Sequence, residues 1–389
     1  MDPDERYMWM VLDLARRACG KTNPNPMVGT VIVRDGEVVG TGFHKKAGDE
    51  HAEIVALKEA GAKARQATLY ANLEPCSHQG RTPPCTEAII RAGIRKVIIA
   101  TIDPNPLVSG QGVRLLREAG VKVKVGVLED KAKRLNEVFF KYITTKTPFV
   151  MVKTAMSLDG KIATATGKSR WISGERSRRF GHQLRAVSDG IMVGINTILH
   201  DDPRLTVRLD DEKAINPARI IVDSRGRLPL NSNVVKTARE TKTILATTDL
   251  IDPEKREALT DAGVEILTLS LRGEQVNLQE LMPALGKKEI SALLVEGGGT
   301  LNYSFLKENI IDKVYFFIAP ILLGGENAPT PLGGAGAHEL KESWEVQDLE
   351  LKQLDNDLLI IGYPVRRGEV VHRNSGGAGG SIRSATVQG

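Results

Sequence analysis

The chain has 389 residues, more than one ordinary hydrophobic core organises, so two domains are expected. Its 41% hydrophobic and 26% charged residues are the balance of a water-soluble globular protein, and its most apolar stretch, VYFFIAPILLGG, is too short to span a bilayer and contains a proline. A net charge of +5 with only 4% aromatic residues argues for a solvated surface with a few anion-binding arginines, because a nucleic-acid groove needs clustered Lys and Arg with stacking aromatics.

The opening MDPDERYMWM is acidic where a secretory leader is basic, so the expectation is a cytoplasmic protein with no membrane association. The three cysteines, Cys19, Cys76 and Cys85, are too few for a disulfide framework and point to a reducing compartment. Cys19 falls near the end of the first helical pattern and is expected to be a small buried hydrophobe.

In chain order, residues 7–19 have helical spacing and end at Gly20. TVIVRDGEVVGTGFH reads as a hairpin turning at Asp35-Gly36. A helix is expected over 51–64, then a strand in ATLYANLE and a short helix in CTEAIIRAG closed by Gly93. KVIIATI, GVRLLREAG and VKVKVGV continue as strand, helix and strand. This alternation predicts an α/β sandwich with parallel neighbours. At Lys146-Thr147-Pro148 the pattern restarts, with apolar strands in PFVMVKTAMS, GIMVGI, RIIVDS, TILATT, EILTLS, ALLVEGGG and KVYFFIAP. The expected units are therefore 1–145 and 146–366, followed by a Gly/Ser-rich disordered tail over 367–389.

His51, Cys76 and Cys85 supply one imidazole and two thiolates, the ligand set of a catalytic zinc with a fourth position left for water. His78, two residues after Cys76, is the one nearby alternative as a fourth ligand, which would make the zinc structural. Glu53, two residues after His51, can sit beside the metal without ligating it and move protons from water to a leaving amine. His51 and Cys85 each stand where a helix begins, and the positive end of a helix favours anionic ligands. Zinc deaminases carry His-x-Glu followed by Pro-Cys-x-x-Cys; here Pro75 precedes Cys76, but eight residues separate the cysteines.

Together, TNPNPMVG, HAEIVAL, LEPCSHQGRTPPC and DPNPLVSGQG closely resemble the deaminase domain of the bifunctional deaminase–reductase family of riboflavin biosynthesis, in which the long insertion between the cysteines is usual. The resemblance spans essentially residues 1–366. It implies a cytidine-deaminase-like α/β/α sandwich followed by a dihydrofolate-reductase-like α/β domain. It also implies one Zn2+ per chain, NADPH, a phosphorylated pyrimidine substrate and a homo-oligomer. Asn23, His44, His78, Asp103 and Asn105 match positions lining the deaminase pocket, although NPNP and DPNP are turn formers in their own right.

The second half has no Gly-x-Gly-x-x-Gly after its first strand. Its glycine cluster, LLVEGGGTLN, joins a buried strand to a helix and could present backbone N–H groups to a phosphate. KTAMSLDGKIAT, SRWISGERSR, LRAVSDGIMVGINTILHDDPRLTVR and LLVEGGGTLN resemble the reductase domain of the same family. By that resemblance Ser169, Arg185, Leu205, Arg208 and Glu296 contact substrate, with the arginines on its phosphate. Met156, Trp171, Thr197, Asp201, Ser224, Gly298, Gly299, Thr300, Leu301 and Asn302 match cofactor-contacting positions, and Lys153 and Asp201 are proton-handling partners. A nucleic-acid-editing deaminase and a purely structural zinc module are the competing readings.

Overall fold

The structure, a computed structural model, describes residues 2–77, 84–106, 108–209 and 215–367. The expected tail lies outside these residues apart from Arg367, as does His78.

The first half is built on five strands: β1 (Gly29–Arg34), β2 (Glu37–Phe43), β3 (Thr68–Leu73), β4 (Lys96–Thr101) and β5 (Lys122–Val125). Their spatial order is β2-β1-β3-β4-β5, with β1 antiparallel to β2 and β3 and the remainder parallel. The β1–β2 turn is made by Asp35 (φ 52°) and Gly36 (φ 84°), the pair of positive φ values that a tight hairpin needs. Strand alternation sends Val31, Tyr70 and Ile98 to the face covered by the helix Pro3–Arg16. Ile32, Leu69 and Ile99 go to the other face, under the helices Ala52–Ala60, Cys85–Arg91 and Gln111–Glu118. The result is a three-layer α/β/α sandwich.

The helix Ala52–Ala60 lies against β2 with no room for side chains between them. A Cβ at Gly42 would stand 2.3 Å from the Ala52 carbonyl oxygen, and one at Gly40 would stand 2.4 Å from that of Ala56. These glycines set the depth of the helix that carries His51 and Glu53.

Three expectations need correction. The first helix is Pro3–Arg16, started by the Asp2 carboxylate accepting the Asp4 N–H at 3.1 Å. It ends before Cys19, which therefore leaves the buried helical face and is exposed rather than buried. The helix expected over 51–64 is α-helical over Ala52–Ala60 and finishes as a 3-10 turn, Gly61–Ala64. Two further helices, Glu129–Leu135 and Glu137–Thr145, have no counterpart among the expected elements.

The second half contains β6 (Phe149–Ser157), β7 (Gly190–Gly194), β8 (Ala218–Val222), β9 (Thr243–Thr247), β10 (Glu265–Thr268), β13 (Ala292–Val295), β14 (Lys313–Ala319), β15 (Trp344–Leu354) and β16 (Asp357–Arg366), with a small hairpin of β11 (Leu271–Arg272) and β12 (Gln275–Val276). The large sheet runs β10-β9-β8-β7-β13-β6-β14-β16-β15. It is parallel from β10 to β14 and antiparallel beyond. Its parallel strands are buried on both faces, with Val150, Ile220 and Leu293 in one cluster and Ile221 and Leu245 in another.

The halves meet through the helix Glu137–Thr145. Glu137 accepts from Lys313 at 2.6 Å and from the Tyr363 hydroxyl at 2.5 Å. Lys141 pairs with Asp312, and the Tyr142 hydroxyl donates to the Gly286 carbonyl at 3.0 Å. Among the described residues, no helix is long and apolar enough to cross a membrane.

Candidate active sites

The first site sits at the C-terminal ends of β3 and β4. His51 is the extended residue just before the helix Ala52–Ala60, and Cys85 is the first residue of Cys85–Arg91, behind Pro84. Cys76 follows β3. The His51 Nδ1 lies 3.2 Å from the Cys85 Sγ and 3.5 Å from the Cys76 Sγ, and the three donor atoms fall within 4.8 Å of one another. The Cys85 backbone N–H also donates to the Cys76 sulfur at 3.3 Å. The contact with Cys85 holds the Cys76 thiol down, to about 4, with His51 assisting. The same contact, together with burial, pushes the Cys85 thiol up. A soft N,S,S donor set of this kind suits zinc. Among the described residues the cluster comprises these three donors.

Glu53 lies in the first helical turn and is only 3% exposed. Burial, reinforced by the charge on Cys76, pushes its carboxyl up to about 7. It shares a cleft of about 250 Å³ with His44, His51, Cys76, Asp103 and Asn105. The His44 Nδ1 is 3.1 Å from the Glu50 carbonyl oxygen, and burial pushes its pKa down. The Asp103 carboxylate accepts the Asn105 N–H at 2.8 Å.

Asn23 does not line this cleft. Its amide donates to the Asp189 carboxylate at 3.0 Å, across the two halves, while Asn25 of the same NPNP stretch faces the cleft. Sequence reasoning also missed Glu74 and two apolar wall residues, Phe139 and Ile143. Their i, i+4 spacing marks one face of a helix, but that helix had not been recognised.

Two of the clefts in the second half share Thr197. One, of about 510 Å³, opens at the ends of β7, β8 and β13 and is lined by Thr197, Ser224, Gly298, Gly299, Thr300 and Leu301. Asn302 lies beneath it, fully buried, with its amide donating to the Pro331 carbonyl at 3.0 Å. The second, of about 380 Å³, is lined by Trp171, Arg185, Thr197, Asp201, Leu205, Arg208 and Glu296. Arg185 donates to Glu296 through Nε at 2.8 Å and Nη2 at 2.9 Å. Arg208 is depressed by burial and by the neighbouring Arg185 and Arg170.

Lys153, Met156 and Ser169 line neither cleft. The Lys153 ammonium sits 5.6 Å from the Phe317 ring centre, and burial pushes its pKa down while Glu296 opposes the shift. Arg170 and Arg204 line the second cleft, and Arg225 and Arg227 the first; none had been singled out. The clue for the latter pair was the Ser-Arg-Gly-Arg run directly after the strand RIIVD.

Residues 1–101 match the cytidine and deoxycytidylate deaminase zinc-binding region, and residues 148–360 match the RibD C-terminal domain. The riboflavin biosynthesis protein RibD of Aquifex aeolicus is 47% identical over 359 residues, covering 92% of this chain and 98% of that protein. The Escherichia coli RibD is 41% identical over 334 residues, covering 83% and 89%. Among solved structures, Acinetobacter baumannii RibD superposes with a TM-score of 0.84 at 39% identity, covering 93% of this chain and 99% of that one. A Thermotoga maritima structure described as a diaminohydroxyphosphoribosylaminopyrimidine deaminase/5-amino-6-(5-phosphoribosylamino)uracil reductase gives 0.81 at 36% identity with the same coverage. With a zinc-type deaminase site in its first sheet and a dihydrofolate-reductase-like second half, the chain belongs to the RibD family of bifunctional riboflavin-biosynthesis deaminase–reductases.

Proposed function

We propose that residues 1–145 deaminate 2,5-diamino-6-(5-phosphoribosylamino)pyrimidin-4-one and that residues 146–366 then reduce its ribosyl group to ribityl with NADPH. The reading rests on one observation above all: His51, Cys76 and the buried Cys85 converge beside a cleft that His51 and Cys76 line together with the buried Glu53.

His51, Cys76 and Cys85 would hold zinc, which as a Lewis acid supplies hydroxide at neutral pH. Glu53 takes the proton released from the attacking water and passes it to the amino group leaving the ring carbon, so that ammonia departs. Burial, which disfavours the charged carboxylate, suits Glu53 to taking up that proton. His44, Asp103 and Asn105, on the same cleft, orient the pyrimidine.

In the second half, the wider cleft would hold NADPH, which when bound would supply a hydride for C1′ of the opened, imine-like sugar. Arg208, crowded by Arg185 and Arg170, belongs to a cluster of like charges that a phosphate would relieve. Trp171, Leu205 and Asp201 wall the sugar side, and Lys153 lies behind Glu296, outside the cleft. The wider cleft, with Ser224 and the Gly298–Leu301 turn, takes the cofactor. Arg225 and Arg227 beside Ser224 support NADPH over NADH, since each offers a cation to a ribose phosphate.

The test is ammonia release from the diaminopyrimidine substrate by zinc-loaded protein. Release that survives Glu53→Gln would remove the deaminase assignment; a loss of at least roughly a hundredfold is expected.

A further inference from the structure

Glu74 follows β3 and stands two residues before Cys76, yet the chemistry above does not use it. It is 5% exposed and lines the zinc-type cleft. A carboxylate so placed is costly unless its lone pairs are filled. Among the described residues they are filled by backbone N–H groups. Oε2 accepts the N–H groups of Asp103 at 3.2 Å and Gly110 at 2.9 Å, and Oε1 accepts that of Val113 at 3.0 Å.

These donors are spread along one loop, the stretch from β4 into the helix Gln111–Glu118. The loop presses onto the Glu74-Pro75 backbone so closely that a Cβ at Gly112 would stand 2.2 Å from the Pro75 carbonyl oxygen. The same loop brings Asp103 and Asn105 to the cleft, and the Asp103 carboxylate in turn fixes the Asn105 N–H. One short segment, Glu74 to Cys76, thus carries a metal-ligating thiol at one end and the anchor of the opposite cleft wall at the other.

We propose that Glu74 is a positioning residue for deamination: its carboxylate sets the distance between the metal ligands and the Asp103–Asn105 wall. An apolar residue could fill the space, but it would take the carboxylate acceptor from the buried Val113 N–H and the part-buried N–H groups of Asp103 and Gly110, and leave the loop without a defined stand-off. The proposal rests on the reading that Asp103 and Asn105 contact the pyrimidine substrate.

The test compares Glu74→Gln and Glu74→Asp with Asp103→Ala, Asn105→Ala and the double variant Glu74→Gln/Asn105→Ala, all as full-length zinc-loaded protein. The isosteric amide must turn an NH2 toward at least one N–H, and the shorter aspartate cannot reach all three donors. In both Glu74 variants, KM for deamination should rise by about tenfold or more, and the double variant should be little worse than Asn105→Ala alone. Bound zinc and the reductase rate on deaminated intermediate should remain at wild-type levels. An unchanged KM in Glu74→Gln, while Asp103→Ala and Asn105→Ala raise it, overturns the role of Glu74 and keeps the site. If Asp103→Ala and Asn105→Ala leave KM unchanged, the reading of the substrate wall fails instead. Loss of zinc or reductase activity in both Glu74 variants makes the residue a structural support and also overturns the proposal.

Discussion

Arg185 and Glu296 form a two-pronged ion pair, with side chains only 14% and 12% exposed, at the floor of the second cleft of the reductase half. Burial alone would push the Glu296 carboxyl up, but Arg185, with Lys153 behind it, holds it down to about 2. His182, close by, is pushed down to about 4 by burial and by Arg185 and Arg208. Its Nδ1 accepts the Arg208 N–H at 3.1 Å, so neutral His182 helps to place that arginine.

Removing either partner strands the other. Glu296→Ala leaves the Arg185 guanidinium donating to the Thr206 carbonyl with its charge unpaired, and should cost about 3 kcal/mol of stability in the second half. Urea unfolding checks this, and NADPH consumption should fall while ammonia release continues. Unchanged reductase activity would separate Glu296 from the substrate site.

The same groups give the reductase half an acid limit. Both have folded-state pKa values below their unfolded ones, so each contributes stability that is present above its unfolded pKa and lost as pH falls through its folded value. His182 should drive a loss of thermal stability between about pH 6.5 and pH 4, and Glu296 a further loss from about pH 4.5 toward pH 2. Thermal midpoints measured from pH 7 to pH 3 should fall throughout, and His182→Gln should flatten the upper part of the curve. A midpoint that rises on acidification would contradict the assignment.

Arg219 is fully buried in β8 and is held by neutral acceptors. It donates to the Thr237 and Thr243 hydroxyls and to the carbonyls of Arg204, Val234, Thr237 and Thr241. Burial pushes its pKa down to about 10. Arg219→Met would leave several carbonyls without donors, at a cost of about 3 kcal/mol or more. Because one of them belongs to Arg204 at the second cleft, the reductase rate should drop as well. Denaturant midpoints and turnover together test this.

The strands of both halves could be read in the sequence because buried parallel strands are continuous apolar runs. The His51, Cys76 and Cys85 cluster could be read because residue type, order and helix starts agreed. Arg219 interrupts such a run, and nothing local says that it is buried. In the terminal hairpin, β15 escaped because WEVQDLELKQL is largely exposed and has no apolar run, whereas β16 carries the buried apolar run LLIIGYPV, which the sequence reading passed over. Asn23 and Asn25 share one NPNP motif, and only the tertiary fold turns one toward Asp189 and the other toward the cleft. Glu74 looks like part of the LEPC motif until the loop it holds is seen across the cleft.

The two sites draw on separate sheets, so they should fail separately. Cys76→Ala should abolish zinc binding and ammonia release, yet leave NADPH-dependent reduction of the deaminated intermediate within about twofold of wild type. Metal analysis and the two assays on one preparation decide this. Loss of both activities would mean that the metal site also supports the reductase half.

The most direct test of the whole account is one reaction: zinc-loaded protein, NADPH and the diaminopyrimidine ribosylamine phosphate, with ammonia and NADPH absorbance followed together. The account predicts that ammonia appears first and NADPH falls behind it in equal amount. NADPH consumption without prior ammonia release, or no change in either with zinc fully loaded, would contradict it.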